Sequence, residues 1–160
     1  MFNIESNGLK IRPLLYNDLP NVKKIRDECL GFIHNNKSIS LKDSQTWYLD
    51  NYPPYLVIEK ESIIIGYFRI SNLKRHSCYV GLDLMANQRG KGFGFKIYSI
   101  LIQKLIKIGI TDIKLKVLKN NNVALNLYLK LGFEKIEQDV SNDDFLLGLN
   151  TQNFKSIIKN

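Results

Sequence analysis

Cysteine, histidine and tryptophan are scarce in this chain, with two, two and one among 160 residues. Cys29 and Cys78 lie far apart and form no C-x-x-C pair, which argues against a zinc site or a disulfide framework and leaves both as small core residues. His76 is close to Cys78, but alternate residues of a strand share a side without touching, so a thiol–imidazole nucleophile is not expected. There is no run of about 18 apolar residues of the kind that crosses a bilayer. The segment from Met1 to Ile11 carries Asn, Glu and Lys in place of an apolar leader, so a soluble, cytoplasmic protein with no membrane partner is expected. The chain also lacks an aromatic–basic RNA signature, and nucleic acid is not an expected partner.

Hydrophobic residues make up 44% of the chain, enough for one domain over residues 1–160 without metals or disulfides. The net charge of +8 suits anionic ligands. Much of it is Lys scattered along amphipathic segments (Lys96, Lys104, Lys107, Lys114, Lys116), which reads as a solvated face.

Leu9 to Leu14 reads as a strand, and Asn17 as the cap of a helix with Pro20 in its first turn. That helix buries Leu19, Val22, Ile25 and Cys29 and ends near Gly31. Ser40 and Asp43 have capping-box spacing ahead of Trp47, Tyr48 and Tyr52, and Pro53-Pro54 ends that short helix or loop. Tyr55–Glu59 and Ile63–Ile70 form a hairpin, and Cys78–Leu84 extends the sheet. Tyr98, Leu101, Ile102 and Leu105 mark a helix over Phe95–Ile108 that Gly109 caps. Ile113–Val117 is a strand, Asn122–Leu131 a helix stopped by Gly132, and Phe133–Ile136 and Phe145–Leu149 complete the sheet. The tail 150–160 reads as frayed or as a docking segment. This order predicts an α/β (mixed α+β) fold, a mixed six- to seven-stranded sheet with helices on both faces, in which Cys78–Val117 forms a βαβ unit with parallel strands.

Arg89-Gly90-Lys91-Gly92-Phe93-Gly94 lies between a strand and the long helix, where backbone N–H groups and the helix dipole make an anion cradle. Glycines remove β-carbons from the path of a phosphate, and Arg89 and Lys91 add charge at the rim. A plain flexible turn is the alternative. A Walker loop would need Ser or Thr after Gly90-Lys91, and a dinucleotide fold needs wider glycine spacing, so ATP and NAD chemistry are disfavoured.

The loop resembles the Gln/Arg-x-x-Gly-x-Gly/Ala signature of the GNAT acetyltransferases. Asn121 to Phe133 is similar to that family's Asn-x-x-Ala…Leu-Tyr-x-x-Leu-Gly-Phe segment, and the element order agrees over roughly residues 9–149. The resemblance implies splayed central parallel strands and acetyl-CoA as co-substrate, with no metal. It further implies that amides of Gly90, Lys91, Gly92, Phe93, Gly94 and Phe95 hold the pyrophosphate beside Arg89, that Leu82 to Leu84 pair with the pantetheine arm, and that Asn121 hydrogen-bonds the cofactor. Tyr128 falls at the family's general-acid position. A helix cap for Asn121 and a core aromatic for Tyr128 remain open readings.

Acetyl transfer to an amine needs a base, oxyanion donors and a partner for the departing thiolate. Tyrosine titrates near ~10 and a thiol near ~8.5, so hydrogen bonding by Tyr128 to the thiolate is a main contribution. The glutamate that some members carry on the fifth strand is replaced here by Lys116, which leaves Asp83, His76 and Glu28 as candidate bases. The acceptor is expected to be a small-molecule amine, and the stretch around Trp47 and Tyr48 resembles members acting on nucleotide-linked amino sugars. Peptide N-termini, or a non-catalytic acyl-CoA-binding role, are the alternatives, for a monomer or a homodimer.

Overall fold

In the computed structural model, which describes residues 2–33, 35–136 and 143–159, Asn7 and Gly8 both take positive φ (54° and 75°). That geometry matches the twist of a two-residue hairpin turn and folds β1 (Ile4–Ser6) onto β2 (Leu9–Pro13). The Asn-Gly pair is a strong local hairpin signal. It adds a strand ahead of the expected first one, so the described residues hold eight strands instead of six to seven.

The chain divides into two compact units, Met1–Ser71 with Gly81–Arg89, and Asn72–Val80 with Gly90–Asn160. In the first unit, β1 and β2 continue antiparallel into β3 (Leu56–Lys60) and β4 (Ile63–Ser71). Helices α1 (Leu19–Asp27) and α2 (Leu41–Asn51) supply the apolar cover. Leu14, Leu19, Ile25, Cys29, Val57 and Tyr67 form one buried cluster, with Val22, Leu41 and Tyr48 packed against it. Ser40 caps α2 as its spacing implies, its hydroxyl accepting from the Asp43 amide at 3.0 Å. Asn17 does not cap α1, because Tyr16–Asp18 forms a 3-10 turn and the helix begins after it. Asp18 closes that turn by accepting from the Leu15 amide at 2.8 Å, and it also binds Arg12 at 2.6 Å. Arg12 reaches Glu59 as well, at 2.6 Å.

In the second unit, the first residues of β5 (Ser77–Leu84) pair in parallel with β6 (Asp112–Leu118), and the connection between them carries α3 (Phe93–Lys107). Ile97, Tyr98, Leu101, Ile102 and Leu105 are the buried stripe of α3. The parallel ladder covers Ser77 to Tyr79, although β5 runs on to Leu84. β6 then pairs antiparallel with β8 (Asp144–Leu149), and β8 with β7 (Phe133–Lys135). Helix α4 (Asn122–Lys130) precedes β7. Of the two readings of the tail, fray is not what the structure has: Thr151–Ile157 is a helix, α5, whose N-cap Asn150 accepts from the Gln152 and Asn153 amides and whose Phe154 is fully buried, as a docked segment would be. Among the described residues no helix is long and apolar enough to cross a membrane.

Two stability measurements follow from this packing. Phe154→Ala removes a fully buried ring, and chemical denaturation should show a loss of about 3–5 kcal/mol. Burial by itself would raise the pKa of Asp18, but the Arg12 guanidinium and the Leu15 amide outweigh it and hold the carboxyl below its ordinary value. The stabilising charge is therefore complete above the unfolded value near ~3.9 and is lost as pH falls through the lower folded value. Asp18→Asn should cost about 1–3 kcal/mol at neutral pH and lose less than the wild type on acidification below pH ~4.

Candidate active site

Gly90 and Gly92 both take positive φ, 72° and 80°, which side chains rarely adopt, and a Cβ built at either would meet nothing within 4 Å. The loop at the head of α3 is thus open on its outer side, as an anion cradle requires. Gly92 is the N-cap of α3 and brings no side chain to cap the first-turn amides, which the helix dipole makes favourable for negative charge. A phosphate group fits such a turn. Gly94 has a different reason for being glycine: a Cβ there would stand 2.9 Å from Leu127 Cδ2, so it permits α3 and α4 to pack closely. Lys91 is exposed, while Phe93 and Phe95 are half-buried.

Asn121 is the N-cap of α4, its Oδ1 accepting from the Ala124 amide at 3.1 Å. That placement aims Tyr128 inward. Its ring packs edge-on against Tyr98 (centroids 5.5 Å apart) and Phe133 (5.9 Å), and its hydroxyl lies 3.4 Å from that of Tyr98. Tyr128 is therefore a buried phenol with its rotamer locked by aromatic neighbours. His76, a candidate base from the sequence, is exposed and its Nδ1 lies 3.1 Å from the Gly109 carbonyl. Cys78 is buried and burial, then the charge of Asp112, pushes its thiol up to about 11, so no thiolate forms near neutral pH.

In the first unit the end of β5 is held by side chains. Arg89 was expected at the rim of the cradle, but its guanidinium donates to the Leu84 carbonyl at 3.0 Å and the Glu28 carbonyl at 2.9 Å, and stacks 5.5 Å from the Phe32 ring centroid. It ties the strand end to the residues after α1. Glu28 joins the same knot, accepting from the Ala86 amide at 2.7 Å. Cys29 lies beside it as a donor to Leu84 O, its thiol pushed up to about 11, first by burial and then by the charge of Asp83.

Asp83 lies between the half-buried Leu82 and Leu84 and is itself only 5% exposed. Its Oδ1 accepts from Arg69 at 3.2 Å, while Oδ2 is buried with no hydrogen bond of good geometry among the described residues. Tyr67 leans on the same carboxylate. Burial, followed by the charge of Asp83, pushes its phenol well up, so it stays protonated. Sequence reasoning singled out Asp83 but missed Arg69 and Tyr67. The available signal was a cation between two β-formers, Phe68-Arg69-Ile70, both of which are buried. Among the described residues no cluster of three or more His, Cys, Asp or Glu could hold a metal ion.

Comparison with known proteins agrees with this geometry. Two curated relatives, the L-methionine sulfoximine/L-methionine sulfone acetyltransferases of Pseudomonas aeruginosa and Pseudomonas paraeruginosa, are each 26% identical over 133 residues, covering 73% of this chain and 75% of theirs. Among solved structures, the Salmonella typhimurium protein yncA with its cofactor acetyl-CoA matches with a TM-score of 0.73 at 21% identity, covering 89% of this chain and 94% of that one. A spermidine N-acetyltransferase SpeG chimera from Vibrio cholerae and hSSAT matches with a TM-score of 0.80 at 18% identity, covering 93% of this chain and 99% of that one. The model of the Acetyltransferase (GNAT) family matches residues 19–133, from the start of α1 to the start of β7. The chain belongs to that family and is an acetyl-CoA dependent N-acetyltransferase.

Proposed function

We propose that the protein acetylates the primary amine of a small molecule of the amino-acid type, with residues 1–160 acting as one catalytic domain. The observation that carries the reading is the open left-handed turn at Gly90 and Gly92 ahead of α3, whose N-cap brings no side chain. The name of the two Pseudomonas relatives supports the acceptor class. The nucleotide-linked amino sugar reading has less support, since the stretch behind it lies in α2, where Ser40 is occupied as a cap and Trp47 packs on Tyr55 with centroids 5.4 Å apart.

Each group has one task. The amides from Gly90 to Phe95 bind the pyrophosphate, and the strand residues Leu82 and Leu84 bind the pantetheine arm and polarise the acyl carbonyl. Acetyl-CoA supplies the thioester. Asp83 receives a proton from the acceptor ammonium through water, because Glu28 is held by the Ala86 amide and His76 is exposed at the start of β5. The amine nitrogen then bonds to the carbonyl carbon as the carbon–sulfur bond breaks, and the Tyr128 phenol hydrogen-bonds the departing thiolate, which leaves as a thiol. Ammonium and thioester become amide, thiol and one released proton. Asn121 presents the start of α4 to the cofactor.

Tyr128→Phe should lower kcat on the order of 10²-fold with coenzyme A affinity nearly unchanged by calorimetry, and an unchanged kcat would remove the phenol from the chemistry. A thiol-release assay with acetyl-CoA should give turnover with free amino acids. Turnover confined to nucleotide-linked amino sugars or to peptide N-termini would replace the acceptor proposed here.

A further inference from the structure

Building on the acetyltransferase reading, we infer that Arg69 is the specificity-determining residue for the acceptor: it binds the carboxylate of an α-amino acid, with Asp83 as the counter-charge for the α-ammonium.

Arg69 occupies an expensive position. Its side chain is one-third exposed and ion-paired with Asp83, and Tyr67, two positions before it on the same face of β4, is 2% exposed. A charge drawn into such a strand costs desolvation that a surface lysine avoids. Three features fix the orientation of the guanidinium. Asp83 bonds it at 3.2 Å, and the Tyr67 ring lies beneath it with the centroid 5.8 Å away. β5 is bare under it, since a Cβ at Gly81 would stand 2.8 Å from Nη2 and 3.1 Å from Nε. A planar fork oriented in this way is suited to a carboxylate, which it can bind with two parallel hydrogen bonds.

The charge balance selects the class of ligand. Arg69 and Asp83 neutralise each other, and a zwitterion preserves that balance by adding one negative group beside the guanidinium and one positive group beside the carboxylate. A simple amine would add a second cation next to Arg69 with no anion to offset it. A diphosphate would carry more negative charge than one guanidinium can balance. Beyond the ion pair, Tyr67 stacks on Tyr55 (centroids 6.4 Å apart) and Tyr55 lies against Trp47. This aromatic wall suits an uncharged side chain.

The test compares methionine sulfone, phenylalanine and glutamine, each beside its carboxamide and its decarboxylated amine, in initial-rate assays with acetyl-CoA. For the wild type, kcat/KM for the free acids should exceed that for the carboxyl-free partners by about 10²-fold or more. In Arg69→Gln, KM for the acid should rise on the order of 10²-fold and the acid-to-amide ratio should collapse toward one, with coenzyme A still binding by calorimetry. Arg69→Lys, which keeps the charge but loses the fork, should fall between. The wild-type ratio stands as a test even where a variant fails to fold. A wild type that acetylates the carboxyl-free partners as well as the acids overturns the inference and leaves the small-amine reading intact. An acid-to-amide ratio unmoved in Arg69→Gln also overturns it. Absence of transfer to every small amine offered overturns both.

Discussion

The parallel ladder that β5 makes with β6 stops at Tyr79 while the strand continues to Leu84, and the features around its end follow from that constraint. The residues that close the strand are tied by specific partners, as buried polar backbone groups must be. Here the Leu84 carbonyl accepts from Arg89 and Cys29, the Met85 amide donates to the Ile65 carbonyl, and the Ala86 amide donates to Glu28. The end of β5 is therefore set by a few specific side chains.

Arginine and lysine divide the work in this basic chain. The forked guanidinium of Arg12 bridges Asp18 and Glu59, that of Arg69 holds Asp83, and that of Arg89 ties two carbonyls. Each exploits several donors in a fixed plane at a half-buried position. Lys107 and Lys116, in contrast, are exposed. The net charge of +8 is a property of the solvated surface more than of the site, and it says less about the acceptor than the single pair Arg69–Asp83 does.

Local chemistry was the most legible part of the sequence. The Ser40 cap, the stop at Gly132 and the apolar stripe of α3 depend on residues within a turn or two of one another, and each appears where its pattern places it. β1 was overlooked although Asn7-Gly8 announces it. Asn17 was misjudged because Asp18 competes for the same turn, with both the Leu15 amide and Arg12 as partners. The tail stayed open between fray and docking because a seven-residue helix has little intrinsic stability, and α5 owes its order to Phe154, whose burial no local pattern reveals.

The order of elements from β2 to β8, the glycine turn ahead of α3 and the family that the turn and the Asn121–Phe133 segment point to were all written in residue spacing, because these rest on short-range steric rules. What the charged side chains do was fixed by long-range packing. Arg89 reaches back across sixty-one positions to Glu28, and Arg69 meets Asp83 across fourteen. Such pairings arise from strands laid side by side and helices packed on them. Their strength depends on burial and on the distance between charges, and neither quantity is written in the spacing of residues along the chain.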